Sequence, residues 1–135
     1  MAEITTHYAR DAELTLFVVD GCVLADELIA VIEAHYGSNP TSITIWDLWE
    51  ADLSELDMPA LIRVSDCAQR YAGERPNPKT IFVVKRAQEK PLVKLYKKIA
   101  EFRGSPVAYD LQPTLADAYE SLGMADPFAE QRARA

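Results

Sequence analysis

Asp20, Asp47, Lys85 and Asp110 stand where short apolar runs give way to polar loops. In an open α/β sheet the carboxyl ends of the strands share one rim. Three carboxylates and a lysine on such a rim would suit a phosphoacceptor or Mg²⁺ site. The spacing argues against both. Asp20-Gly21-Cys22 has no second Asp two residues on, and no acidic pair precedes Asp47 to share a metal. Asp and Gly also recur wherever a strand turns into a loop. Nucleophilic catalysis has less support still. There is no Gly-x-Ser-x-Gly, and Cys67 falls on one helical face with Val64, Ala68 and Tyr71, where a buried thiol is unreactive. No Gly-x-Gly-x-x-Gly or Walker sequence is present to cradle phosphates. His35 has no second ligand at a metal-binding spacing, and it reads as a half-buried or capping residue near a helix end. The expectation is a protein with no catalytic residues, no metal and no cofactor.

Two surfaces remain. The first is Trp49, Glu50, Asp52, Ser54 and Glu55, an acidic rim just past an apolar β-branched run, with Trp46 in the core and Trp49 beyond the strand and partly exposed. Such a rim suits a protein partner, and a basic one. The second is a set of lysines, Lys90, Lys94, Lys97 and Lys98, on one side of an amphipathic pattern. From Lys79 to Arg103 eight lysines and arginines stand against two glutamates, a local balance of +6. The whole chain is −7, so the remainder carries −13. A basic helix on an acidic protein suits an anionic lipid surface, whereas the overall charge opposes whole-molecule nucleic-acid binding.

The elements that must position these residues follow from periodicity. Ile4–Ala9 alternates weakly and Leu14–Val19 strongly, which predicts a hairpin closed by Arg10 to Glu13. Ala25–Tyr36 is a helix, with Leu24, Leu28, Val31, Ile32 and His35 inward and Gly37 at its end. Ser42–Asp47 is the central strand. Met58–Tyr71 is a second helix, capped by Asp57 and presenting Leu61, Val64, Cys67, Ala68 and Tyr71 to the sheet. Gly73 to Pro78 is the clearest break, and Thr80–Val84 the next buried strand. Pro91 to Phe102 is the most amphipathic segment, with Leu92, Leu95, Tyr96, Ile99 and Phe102 inward. Val107–Tyr109 and Thr114–Leu122 complete the order ββαβαβαβα. Strands separated by helical crossovers run parallel, so the fold class is a single-domain α/β protein with a mixed, mostly parallel sheet and an antiparallel N-terminal edge strand. The domain covers residues 1–124, and 125–135 read as a flexible C-terminal tail. At 135 residues the chain can bury a core without a disulfide or metal. Cys22 and Cys67 read as reduced hydrophobes. No apolar stretch approaches a membrane span, and the expected location is cytoplasmic.

Ile45-Trp46-Asp47-Leu48, followed by Ala51-Asp52-Leu53-Ser54, and the ending Leu115-Ala116-Asp117-Ala118-Tyr119-Glu120-Ser121-Leu122-Gly123 resemble the SpoIIAA-like family, relatives of the STAS domain of anti-sigma-factor antagonists. The resemblance spans roughly Ile4 to Gly123. It implies a mixed sheet of four or five strands, helices mostly on one face, and a regulatory protein-interaction role. In phosphorylated STAS proteins an Asp-Ser-Ser-Gly-like segment opens the helix after the central strand. Here the matching region reads Leu53-Ser54-Glu55-Leu56-Asp57, with neither Ser-Ser nor Gly, so the phospho-switch is not carried over. The family is distantly similar to CRAL-TRIO lipid-binding domains, which adds lipid binding as the alternative. The leading expectation is a non-enzymatic interaction module working through the acidic rim.

Overall fold

The chain turns first at Glu13, whose φ of +51° lets its amide donate to the Arg10 carbonyl (3.0 Å) and closes a 3-10 turn over Arg10–Ala12. That turn joins β1 (Glu3–Ala9) to β2 (Leu14–Cys22) as an antiparallel hairpin. The computed structural model describes residues 2–38, 40–73, 75–85 and 89–129. Beyond the hairpin, strands and helices alternate: α1 (Ala25–Tyr36), β3 (Ile43–Asp52), α2 (Met58–Ala72), β4 (Lys79–Val83), α3 (Lys90–Phe102), β5 (Ala108–Gln112) and α4 (Leu115–Ser121). The five strands lie in sequence order, β1-β2-β3-β4-β5, with β2 to β5 parallel. An unbroken order of parallel strands puts successive crossover helices on the same face, and α1, α2 and α3 all pack there.

Alternation along the strands divides the core into two layers. Phe17, Val19, Trp46, Leu48, Phe82 and Val84 point toward α1–α3, while Leu14, Leu16, Ile45, Ile81 and Val83 point the other way. Phe17 and Trp46 are register partners and stack with centroids 4.3 Å apart. The second layer is covered by Ala118 and Tyr119 of α4 and by Phe128. Phe128, within the stretch 125–135 expected as a tail, is 5% exposed. A large aromatic against Leu14, Leu16 and Ile81 belongs to the core, and the part of the expected tail from 130 lies outside the described residues.

Helix ends follow local chemistry. Asp57 accepts from the Ala60 amide (3.0 Å) and caps α2, with Pro59 in its first turn. Gly123, at φ +67°, ends α4: its amide donates to the Glu120 carbonyl (2.9 Å), and the Met124 amide donates to Tyr119 (3.1 Å), the paired bonds of a Schellman motif. Two helices are rotated relative to their expected stripes. Leu24 is the N-cap of α1 and 46% exposed, leaving Ala25, Ile32 and Tyr36 as its buried face. In α3 the buried residues are Val93, Tyr96 and Ala100, and Phe102 is 93% exposed. The amphipathic count placed Phe102 at the edge of the arc, and the docking of α3 turns that edge to solvent.

Candidate functional site

The carboxyl end of the sheet is built around an unequal pair of strands. β3 pairs with β4 only from Ile43 to Asp47, but with β2 it continues to Asp52, opposite Cys22. Leu48 to Asp52 therefore extend past the end of β4. Trp49, expected beyond the strand, lies within it.

The register shifts between Val18 and Asp20, where the single β2 residue Val19 stands opposite two residues of β3, Leu48 and Trp49. Such a bulge bends the strand and re-aims its side chains. Before it, Trp46 and Leu48 face the α1–α3 layer; after it, Ala51 and Leu53 do. Asp47, Trp49, Glu50 and Asp52 are thereby turned away from that layer. Trp49 packs against the second layer, and the Lys85 ammonium lies 5.0 Å from its ring centroid, a cation–π contact. Asp52 Oδ1 accepts from the Ser54 amide (2.9 Å), and the Leu56 amide closes the turn on the Leu53 carbonyl (3.0 Å). Ser54 and Glu55 project from this turn into solvent, while Leu53 and Leu56 on either side of them are buried. Leu24 and Met58, 46% and 49% exposed, open the helices at the same end.

The four strand-end groups that could have formed a catalytic or metal site are not gathered. Asp47 Oδ1 is turned back onto the Trp49 amide (3.1 Å). Asp110 accepts from the Leu111 amide (2.9 Å) and the Gln112 side chain (2.8 Å). β4 separates Asp47 from Asp110, so two strand spacings hold them about 10 Å apart across the sheet. Lys85 lies over Trp49, and Asp20 is exposed opposite Glu50. Among the described residues no group of three His, Cys, Asp or Glu could hold a metal ion.

Lys90, Lys94 and Lys98 are exposed, and Lys97 is half-buried with its ammonium 3.9 Å from Glu101. Phe102, one turn beyond Lys98, adds an exposed aromatic to its margin. His35 caps nothing. Its Nε2 lies 3.3 Å from Thr6 Oγ1, its Nδ1 bonds the Tyr8 hydroxyl, and its ring meets the edge of Phe17. It fastens α1 to the edge strand, and burial lowers its pKa below the usual value.

One residue of consequence was missed. Arg75, in the loop before β4, is 4% exposed. Its Nε donates to the Thr41 carbonyl (3.0 Å), and Nη2 to the Ser42 and Lys79 carbonyls (3.1 and 3.0 Å) and to Thr44 Oγ1 (3.0 Å). Its guanidinium carbon stands 5.0 Å from the Tyr36 ring centroid. Arg75 binds the starts of β3 and β4 together.

This geometry has solved counterparts. An anti-sigma factor antagonist from Mycobacterium paratuberculosis superposes with a TM-score of 0.61 at 19% identity, covering 91% of this chain and 95% of its own. A protein of uncharacterised function with a SpoIIAA-like fold, from Shewanella loihica, superposes with a TM-score of 0.59 at 13% identity, over 90% and 93% of the two chains. The fold is SpoIIAA-like. No family model matches the chain, and no curated relative matches it. In this SpoIIAA-like fold the rim turn Leu53–Asp57 joins the central strand to α2. Ser54 is its hydroxyl, held by Asp52 at the amide and flanked by Glu55. Among the described residues no helix is long and apolar enough to cross a membrane.

Proposed function

We propose that this chain is a non-enzymatic, cytoplasmic regulatory module that binds a basic surface of another protein through Trp49, Glu50, Asp52, Ser54 and Glu55. The observation that carries the reading is the extension of β3 past the end of β4, which leaves this acidic set without a neighbour on the β4 side, with exposed Leu24 and Met58 opening helices at the same end. Apolar anchors within a charged surround are what a protein interface needs. One solved counterpart is itself named an anti-sigma factor antagonist, a role carried out by binding proteins. Ser54 acts here as a surface residue of the turn. A phosphate on it would meet Asp52, Glu55 and Asp57 rather than arginines.

The test places a photo-crosslinking residue at Ser54 and identifies what it captures in the native host. The affinity of that partner is then measured for wild type and for Glu50→Lys/Glu55→Lys, two exposed positions on the rim. At least tenfold weaker binding, with the wild-type affinity falling as salt rises, is expected. Equal affinity of the two proteins refutes the reading.

A second reading rests on a separate observation, the 93% exposure of Phe102 beside Lys94 and Lys98. Lysines near an anionic bilayer contribute about 1 kcal/mol each, and an exposed aromatic suits the interface. Co-sedimentation with phosphatidylserine vesicles tests it. Wild type should sediment at low salt, and the variant with Lys90, Lys94, Lys97 and Lys98 changed to Gln should not. Equal sedimentation removes this reading.

A further inference from the structure

The space between the sheet and α1–α3 is not filled. It holds a cavity of about 70 Å³. A water molecule's share of the liquid is about 30 Å³, so the void has room for one small ion or about two waters and none for a chain or ring of carbons. Most of its wall is apolar. Apart from the Trp46 indole, the polar side chains on it are Tyr36, Arg75, Thr80, Tyr96 and Tyr109, and these are neighbours of one another. Thr80 is the register partner of Tyr109, whose ring meets that of Tyr96 edge-on at 5.7 Å. Arg75 touches Thr80 on one side and lies over Tyr36 on the other.

Among the described residues Arg75 is the one charged residue on the wall. It is 4% exposed, and a guanidinium in a protein cannot shed its proton. Four neutral acceptors, the Thr41, Ser42 and Lys79 carbonyls and Thr44 Oγ1, take up Nε and Nη2. Nη1 makes only the long contact, 3.5 Å to Thr80 Oγ1, although it carries two N–H groups. Among the described residues no carboxylate pairs with the guanidinium. The Tyr109 hydroxyl stands within reach of its charge. Burial, the largest influence, pushes that hydroxyl's pKa up, while bonds to Ser105 and Tyr96 and the charge of Arg75 pull the other way. The balance is upward, so at neutral pH it stays a protonated donor. A cation out of water calls for a counter-charge.

We propose that the Arg75 end of this cavity binds one small monovalent inorganic anion, of the size of chloride. The anion sits on the Nη1 edge of Arg75 beside the Tyr109 hydroxyl and neutralises the one cation that burial has cut off from water. A single positive charge in so small a void selects against a dianion such as sulfate and against organic acids. Because the same guanidinium joins the starts of β3 and β4, occupancy stabilises the folded chain, as any ligand of the native state alone does. The site uses neither the rim nor the lysine face, and it stands whether or not either of those binds a partner.

The test compares thermal unfolding of the full-length protein in sodium chloride and in sodium gluconate, whose anion is too large for the void, at one ionic strength of about 0.3 M. The midpoint should be at least about 3 °C higher in chloride. Changing Lys90, Lys94, Lys97 and Lys98 to Gln should leave that difference intact, and Arg75→Met should abolish it. Crystals grown in sodium bromide should show an anomalous peak within hydrogen-bond reach of Arg75 Nη1. The proposal is overturned if the wild-type midpoints agree in the two salts, if the lysine variant loses the difference, if folded Arg75→Met keeps it, or if no bromide is found in the cavity. The salt comparison and the bromide crystals use the wild type, so they decide the matter even if Arg75→Met does not fold.

Discussion

Replacing Arg75 with Met should be among the most costly single changes in this protein, and its pH dependence should identify the cause. The substitution keeps the length of the stem and deletes every donor. The Thr41 carbonyl loses Nε, the Lys79 carbonyl loses Nη2, and Thr44 Oγ1 and Thr80 Oγ1 lose their contacts to Nη2 and Nη1. The Ser42 carbonyl keeps the Lys79 amide, 2.9 Å away, so it is not orphaned. A buried polar group left without its partner costs about 1–3 kcal/mol. Four such groups set the gross loss, and relief from no longer burying a cation offsets part of it. A net loss of about 3 kcal/mol is expected, on the scale of breaking a buried ionic contact. In urea, with a slope of about 1–3 kcal/mol per M, the midpoint should fall by roughly 1–3 M. The same measurement at pH 7 and at about pH 3.5 tests the nature of the partners. Guanidinium, carbonyl and hydroxyl groups do not titrate over this range, so the difference between wild type and variant should stay constant. A carboxylate partner would have its pKa depressed in the folded state. Its contribution would be present above the unfolded carboxylate pKa and lost as pH falls through the folded one. A loss below about 1 kcal/mol at pH 7, or a difference that shrinks markedly in acid, refutes the assignment of Arg75 as a cation held by neutral acceptors.

Other outcomes follow from single positions. Phe128→Ala should destabilise by about 3 kcal/mol, as for other buried Phe truncations, and removing residues from 125 onward should cost at least as much; urea unfolding of both proteins checks this. Phe102→Ser should change stability by less than about 0.5 kcal/mol, as an exposed position does, whereas Val93→Ala on the same helix should cost about 1–2 kcal/mol. Asp57→Ala should cost about 1 kcal/mol through the lost cap of α2. His35 has its folded pKa lowered by burial, so the unfolded chain takes up the proton first. Its contribution is present above the unfolded imidazole pKa and lost as pH falls below it. The urea midpoint of wild type should therefore drop between pH 7.5 and 5.5 by more than that of His35→Gln.

Order and pairing of the elements were legible because each segment obeys its own period. Leu14–Val19 and Thr80–Val84 are short apolar runs, Ala25–Tyr36 and Met58–Tyr71 carry the spacing of buried helical stripes, and all fall within a few residues of the observed elements. The wrong faces have physical reasons. Phe102 sits at the edge of the apolar arc of α3, and periodicity cannot say which edge a docked helix turns outward. Phe128 follows a helix end marked by Gly123, where a lone aromatic among polar residues gives no period at all. Its Asx contact, the Phe128 amide to Asp126 Oδ1 at 2.8 Å, is a local turn that composition alone does not distinguish from a tail.

The rim and Arg75 differ in how readable they were. Apolar residues occupy 46 and 48, then 51 and 53, and that one-residue change of phase in an extended segment is the mark of a bulge. The change of phase by itself places Trp49, Glu50 and Asp52 on the face away from α1–α3, and it accounts for a β3 of ten residues. Arg75 had no such mark. Its partners are backbone carbonyls at Thr41, Ser42 and Lys79, and any residue type at those positions would supply them. Thr15, Thr44 and Thr80 form one register row and are buried, but alignment of the three strands is needed to see that row. A buried cation recruited by main-chain oxygens follows from the register of the sheet, and register is a property of pairs of strands that no single segment carries.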